Sequence, residues 1–222
     1  MMKTNRLFLS VLACGALLGV TSAQEGEKKA APAAAPAAKE TYKVGSTVDE
    51  KLTLTDLDGK TMTFKDLRDK VVLVHFWSTQ CPYEKVADPK FAELEKRWKD
   101  KKDVVILAIN ANSSEIGAEK DAASYDAIRA HMKEKGLAFP VIADHGNKLA
   151  DLFGAQSTPH CFVLDKKGVI VYAGGLDDDP KGDKGAAVQQ YARDAVEATL
   201  AGKPVATKES KPYGCSIKRV RA

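Results

Sequence analysis

The run Val71-Val72-Leu73-Val74-His75-Phe76-Trp77-Ser78-Thr79-Gln80-Cys81-Pro82-Tyr83-Glu84 decides the fold. Its first seven residues form a nearly continuous β-branched and aromatic stretch, the pattern of a strand buried on both faces of a parallel sheet. Cys81 follows just after that strand, at the first turn of a helix that Pro82 opens at the position where its missing N–H costs nothing. A helix N-terminus offers unpaired N–H groups and about half a positive charge, which favours thiolate over thiol. A thiolate attacks disulfides and peroxides, so Cys81 is the leading candidate for chemistry, with a purely structural cysteine as the alternative.

Working outward, Val86 to Lys99 carries apolar residues at helical spacing (Phe91, Leu94, Trp98), and Val104 to Ile109 reads as a second buried strand. Strand, helix and strand in that order make a right-handed crossover unit. Upstream, Lys51 to Leu54 and Thr61 to Phe64 flank the turn Leu57-Asp58-Gly59-Lys60 and predict a hairpin. Downstream, Ala122 to Lys135 is an amphipathic helix stopped by Gly136, Phe139 to Ile142 a short strand, and Asn147 to Phe153 a short helix ended by Gly154. Cys161 to Leu164, the turn Asp165-Lys166-Lys167-Gly168 and Val169 to Tyr172 form an antiparallel hairpin. A last helix is expected from about Ala186 to Leu200, and Lys203 to Ala222, basic and interrupted by proline, reads as an irregular tail.

The 222 residues suffice for one domain with additions, and 44% hydrophobic with 29% charged residues exclude wholesale disorder and a polytopic membrane protein. The formal net charge of +4, without a basic patch interleaved with aromatics, argues against nucleic acid as partner. Lys3 and Arg6, the apolar run Leu7 to Val20 and the small residues Thr21-Ser22-Ala23 have the three parts of a secretory signal. Residues 1–23 are therefore expected to be removed on export to the periplasm or another extracytoplasmic space. The rival reading, a lipid anchor at Cys14, is disfavoured by the large Leu12 and by the apolar residues continuing to Val20. No membrane association is expected after cleavage. Residues 24–41, rich in Ala, Pro, Lys and Glu, read as a spacer before a domain at 44–203, with a basic tail at 204–222. Cys81, Cys161 and Cys215 then remain for the folded protein, in a compartment that permits disulfides.

The order of these features resembles the thioredoxin fold, and specifically the extracytoplasmic redoxins related to the alkyl hydroperoxide reductase and thiol-specific antioxidant (AhpC/TSA) family. The resemblance rests on Phe76-Trp77 before Cys81, on Pro89 eight positions beyond it, and on Phe153-Gly154-Ala155-Gln156-Ser157-Thr158-Pro159. That last segment is similar to the one carrying the family's cis-proline. It implies an α/β fold with a central mixed sheet flanked by helices and a helical insertion between Asn112 and Phe139. It also implies a thiol-dependent oxidoreductase that needs no cofactor, whose partners are a protein or small-molecule disulfide or peroxide and a thiol reductant.

Departures from the family pattern shape the expected mechanism. Glu84 stands where thioredoxins carry their second cysteine, so the local ring disulfide cannot form and an intramolecular partner must be Cys161 or Cys215. Cys81-Pro82-Tyr83-Glu84 resembles the Cys-Pro-x-Glu stretch of peroxiredoxins, with Ser78 at the place of their Thr or Ser. Their active-site proline, however, falls on Val74 and their second-site arginine on Pro159, removing groups that position a peroxide.

Cys161, two residues beyond Pro159, fits a packing role, whereas Cys215 after Gly214 is either a resolving thiol or an exposed one. His75 occupies the place of the thioredoxins' buried acid, as proton acceptor or core histidine; His160 would flank the site beside Thr158 and Pro159. Glu84 is a capping or charge-tuning group and Trp77 a packing wall. A metal site of Cys81, His75, His160 and Cys161 lacks paired ligand spacing, and Lys85 holds the place of a copper chaperone's second cysteine. Asp177-Asp178-Asp179 reads as a solvated acidic turn. The leading function is an exported thiol-disulfide oxidoreductase using Cys81 and Cys215; a Cys81-based peroxidase and a redox-silent binding module are the alternatives.

Overall fold

The structure, a computed structural model, describes residues 40–117 and 125–220. The expected leader, nearly all of the spacer and the first residues of the Ala122 helix lie outside the described residues. A hairpin of β1 (Thr53–Thr55) and β2 (Thr61–Thr63) leads to β3 (Val71–Phe76), α1 (Pro82–Trp98) and β4 (Val104–Asn110). The insertion carries α2 (Ser113–Ile116) and α3 (Asp126–Lys135) before β5 (Val141–Ala143) and α4 (Lys148–Phe153). Then come β6 (Ser157–Thr158), β7 (His160–Leu164), β8 (Ile170–Gly174), α5 (Tyr191–Leu200) and β9 (Cys215–Ser216).

The main sheet has the order β5-β4-β3-β7-β8, so β3 is central as its sequence demands. β4 runs parallel to β3 and β5 parallel to β4, while β7 is antiparallel to β3 and β8 to β7. This is the mixed sheet of a thioredoxin-like fold. The period of two along a strand splits β3 between two cores. Val71 and Leu73 pack with Phe91, Leu94 and Trp98 of α1 and with Ala192 and Val196 of α5. Val72, Val74 and Phe76 pack on the other face with Phe64, Leu149, Phe153 and Phe162. His75 falls on the α1 side in that alternation, fully buried.

α1 opens at Pro82, the position the proline marks in the sequence. One boundary shifts from the sequence expectation. α5 begins at Tyr191, since Val188 is extended (φ −66°, ψ 133°) and only a single tight turn, Gly185–Ala187, precedes it.

The larger correction concerns the tail, which is a strap stitched to the domain rather than irregular chain. It lies along the edge of β8, where Ala173 N–H donates to Lys208 O at 3.0 Å and Ser210 N–H to Ala173 O at 3.1 Å. β9 then pairs antiparallel with β6, placing Cys215 opposite Thr158. Beyond it, Ser113 N–H donates to Lys218 O (2.9 Å), Lys218 N–H to Asn112 Oδ1 (2.8 Å) and Val220 N–H to Asn147 Oδ1 (2.8 Å).

Candidate active site

Cys81 is the N-cap of α1, in extended conformation (φ −81°, ψ 121°), with Pro82 as the first helical residue. The strand end thus delivers its sulfur to the helix N-terminus. The thiol donates to Thr158 O at 2.9 Å, and Thr158-Pro159 is a cis peptide. Cys81 is only 2% exposed. Thr158 is also the cross-strand partner of Cys215, which brings the Cys215 sulfur beside Cys81. Burial, followed by the neighbouring Cys81, pushes the Cys215 thiol up to about 11. Cys215 therefore keeps its proton at neutral pH. The two sulfurs are both thiols, free of any disulfide.

The strap reaches this place only because residue 214 is glycine. Its φ of 128° is one that L side chains rarely adopt, and a Cβ there would lie 2.0 Å from Thr158 O. Ser157 Oγ donates to Tyr213 O (3.2 Å), and Ile217 N–H donates to Gln156 O (3.2 Å), on either side of the close approach. The Tyr83 and Tyr213 rings lie 6.2 Å apart beside the pair of sulfurs.

Beneath α1 lies a buried polar group. Glu84 and His75 are both fully buried, with Glu84 Oε1 3.1 Å from His75 Nε2. The distance is that of an ion pair, but burial holds the His75 imidazole well below its ordinary range, and burial followed by the charge on Asp88 holds the Glu84 carboxyl well above its own. They meet as a neutral acid and a neutral imidazole sharing one hydrogen bond. Glu84 is thus not the charged tuning group expected from sequence: burial in this first turn removes the charge. His75 also stacks on Phe91 at 3.7 Å between ring centroids, while its Nδ1 and Glu84 Oε2 have no hydrogen-bond partner. One turn further along α1, Asp88 accepts from Trp77 Nε1 (2.9 Å) and contacts His131 Nε2 (2.7 Å). This hydrogen bond fixes Trp77 as a wall.

Cys161 is fully buried in β7, paired across the sheet with His75, and burial pushes its thiol up. His160 is buried rather than solvent-facing. Its Nδ1 accepts from Gln156 N–H (3.3 Å), its ring lies tilted against Phe162 with centroids 4.5 Å apart, and burial lowers it to about 4.

Two site residues lay outside the sequence reading. Glu115 in α2 accepts from Thr79 N–H (2.8 Å), Thr79 Oγ1 (2.6 Å), Asn110 Nδ2 (3.1 Å) and Ser78 Oγ, so one carboxylate braces the loop that presents Cys81. Asp177, read as part of a solvated turn, is 1% exposed and accepts from Lys90 Nζ and from Tyr213 OH, each at 2.7 Å. The acidic triplet before Pro180 was the only signal for it. Among the described residues no group of His, Cys, Asp and Glu could hold a metal ion.

The AhpC/TSA family model matches residues 44–173. The thiol-disulfide oxidoreductase ResA of Bacillus thuringiensis (strain Al Hakam) is 36% identical over 119 residues, covering 53% of this chain and 62% of that protein. A ResA of Bacillus cereus is 34% identical over 175 residues, 77% of this chain and 88% of that protein. The chain thus spans about six-tenths of the first of these relatives and most of the second. Of solved structures, a hypothetical protein from Sinorhizobium meliloti 1021 superimposes with a TM-score of 0.70 at 27% identity, covering 82% of this chain and 98% of its own. An uncharacterized conserved protein from Geobacillus kaustophilus does so with the same score and identity, at 82% and 95% coverage. With a family model that takes in both β3 with its cysteine and the Thr158-Pro159 segment, the chain belongs to the AhpC/TSA family.

Proposed function

We propose that this protein is an exported thiol-disulfide oxidoreductase whose nucleophile is Cys81 and whose resolving thiol is Cys215. The observation that carries the reading is the placement of Cys215 opposite Thr158, the residue whose carbonyl accepts a hydrogen bond from the Cys81 thiol. The Cys81 thiolate attacks one sulfur of a substrate disulfide, forming a mixed disulfide and releasing the other sulfur as a thiolate. Cys215 gives up its proton, attacks Cys81, and releases the second substrate thiol. Two protein thiols are oxidised as one disulfide is reduced, and an external thiol reductant restores the pair.

Pro82 opens the helix beside Cys81, Trp77 and Pro159 shape the site, the Thr158 carbonyl accepts a hydrogen bond from the Cys81 thiol, and His75, Glu84 and His160 are buried behind it. Disulfides suit this site better than peroxides, because Val74 is buried in β3 and Pro159 brings no side-chain donor. Export rests on the apolar run Leu7 to Val20.

The test mixes the reduced protein with a disulfide-bonded protein substrate. Cys215→Ser should accumulate a mixed disulfide at Cys81, detected by mass, and Cys81→Ser should lose reduction almost completely. Full activity in Cys81→Ser would refute the assignment. Oxidation of Cys81 by peroxide, with substrate disulfides untouched, would move the protein to the peroxidases.

A further inference from the structure

Tyr213 stands two residues before Cys215 and ties the strap to the domain through a side chain. Its hydroxyl donates to Asp177 Oδ1, which also accepts from Asp179 N–H at 2.9 Å. Asp177 Oδ2 is taken by Lys90 Nζ, which also donates to Asp179 O at 3.0 Å. Lys90 belongs to α1, the helix whose N-terminus carries Cys81. The clamp therefore joins the strap to the same rigid element that presents the nucleophile. With the strap in place Cys81 is almost inaccessible, and Cys215 lies against it.

We propose that Asp177, held by Lys90, is a positioning residue that clamps Tyr213 and governs two steps in opposite directions: it keeps Cys81 covered before attack and holds Cys215 on Cys81 for resolution. Loosening the clamp uncovers the nucleophile, and it also lowers the effective concentration of the resolving thiol. The anchors outside this stretch, Ser210 against Gly175 N–H and Lys218 against Asn112, keep the strap tethered when Tyr213 lets go. This inference rests on the proposed function and adds to it residues that touch neither sulfur.

The test uses the reduced mature protein in a Cys161→Ser background with dithiobis(nitrobenzoate), an aromatic disulfide, as substrate. Cys81 attacks it and releases one thionitrobenzoate; Cys215 then attacks the Cys81 mixed disulfide and releases a second. Two thiols are oxidised and one reagent disulfide becomes two coloured thiolates, so the two steps are read separately. Cys215→Ser should stop after the first release, and Cys81→Ser gives the direct reaction of Cys215 with the reagent for subtraction. Tyr213→Phe should speed the first release and slow the second, each by roughly tenfold for one lost hydrogen bond of this kind. Lys90→Met, at a partly exposed position, serves as the second variant should the first fold poorly, and is expected to act in the same two directions. Changes of one sign in both phases, or none in either variant, would overturn the clamp. Absence of a second release in the protein with an intact clamp would instead overturn the assignment of Cys215.

Discussion

The first turn of α1 has two sides built on different physics. Toward the strap, Cys81 meets the Thr158 carbonyl and the thiol of Cys215. Toward the sheet, Glu84 meets His75 with both side chains fully buried, and each keeps one polar atom without a partner. In a thioredoxin with two cysteines that inner side would hold the second sulfur; here Glu84 fills it, and the second sulfur of the proposed pair is Cys215 on the strap. Loop-closure entropy rises only slowly with length, so the distance in sequence is a small obstacle once the strap has its own hydrogen bonds. The comparison teaches that the thiol proposed to resolve and the buried polar group can be separated while Cys81 keeps its place at the helix N-terminus.

The sharpest way to break the strap side is Gly214→Ala. A Cβ 2.0 Å from Thr158 O cannot be accommodated by a side-chain shift, because the obstacle is backbone. The strap must lift, leaving Cys215 merely tethered. Formation of the Cys81–Cys215 disulfide should slow by roughly a hundredfold, as a docked group falls to the millimolar effective concentration of a flexible tether. Attack by Cys81 should persist, read as a normal yield of mixed disulfide. Unchanged closure of the disulfide would show that pairing of β9 with β6 is not what delivers Cys215.

This contrast explains what the sequence could and could not tell. The β3–Cys81–Pro82 junction was legible because strand period, helix start and cysteine lie in consecutive residues. The Thr158-Pro159 segment was placed by its resemblance to the family's cis-proline segment. Docking of the strap was not legible, because β9 is two residues long and its partners are backbone groups that leave no pattern in side chains. The trace it left was Gly214 beside Cys215. Asp177 misled for a related reason: a run of acids predicts solvent, and only the fold brings Lys90 and Tyr213 onto it.

Glu115 was invisible to sequence because it lies on a four-residue helix far along the chain from the loop it braces. Glu115→Gln places an amide where four donors converge, so at least one donor must lose its acceptor. An expected loss of about 2 kcal/mol in urea unfolding follows. Cys81 attack should slow as the Ser78–Thr79 loop loosens, read as a lower rate of mixed-disulfide formation.

The buried side yields the smallest effect and the most specific one. Glu84 in the folded protein holds its proton well above the ordinary 4.5, so as pH rises beyond 4.5 the unfolded chain releases a proton that the folded chain retains, and stability falls. His75 is held well below its ordinary 6.5, so below 6.5 the unfolded chain takes up a proton that the folded chain refuses, and stability falls as pH drops. Between 4.5 and 6.5 the two slopes oppose each other; above 6.5 His75 is neutral in both states and the Glu84 slope stands alone. Glu84→Gln, which retains a hydrogen-bonding group without a titrating proton, should therefore flatten the decline between pH 6.5 and 8 by a fraction of the roughly 1.4 kcal/mol per pH unit that one proton allows. Asp144, raised to about 6 by burial, contributes equally to both proteins and cancels in the difference. Parallel stability curves over that interval would mean that Glu84 is ionised beside His75. The inner side of α1 would then be an ion pair, and the contrast with the strap side would be one of burial alone.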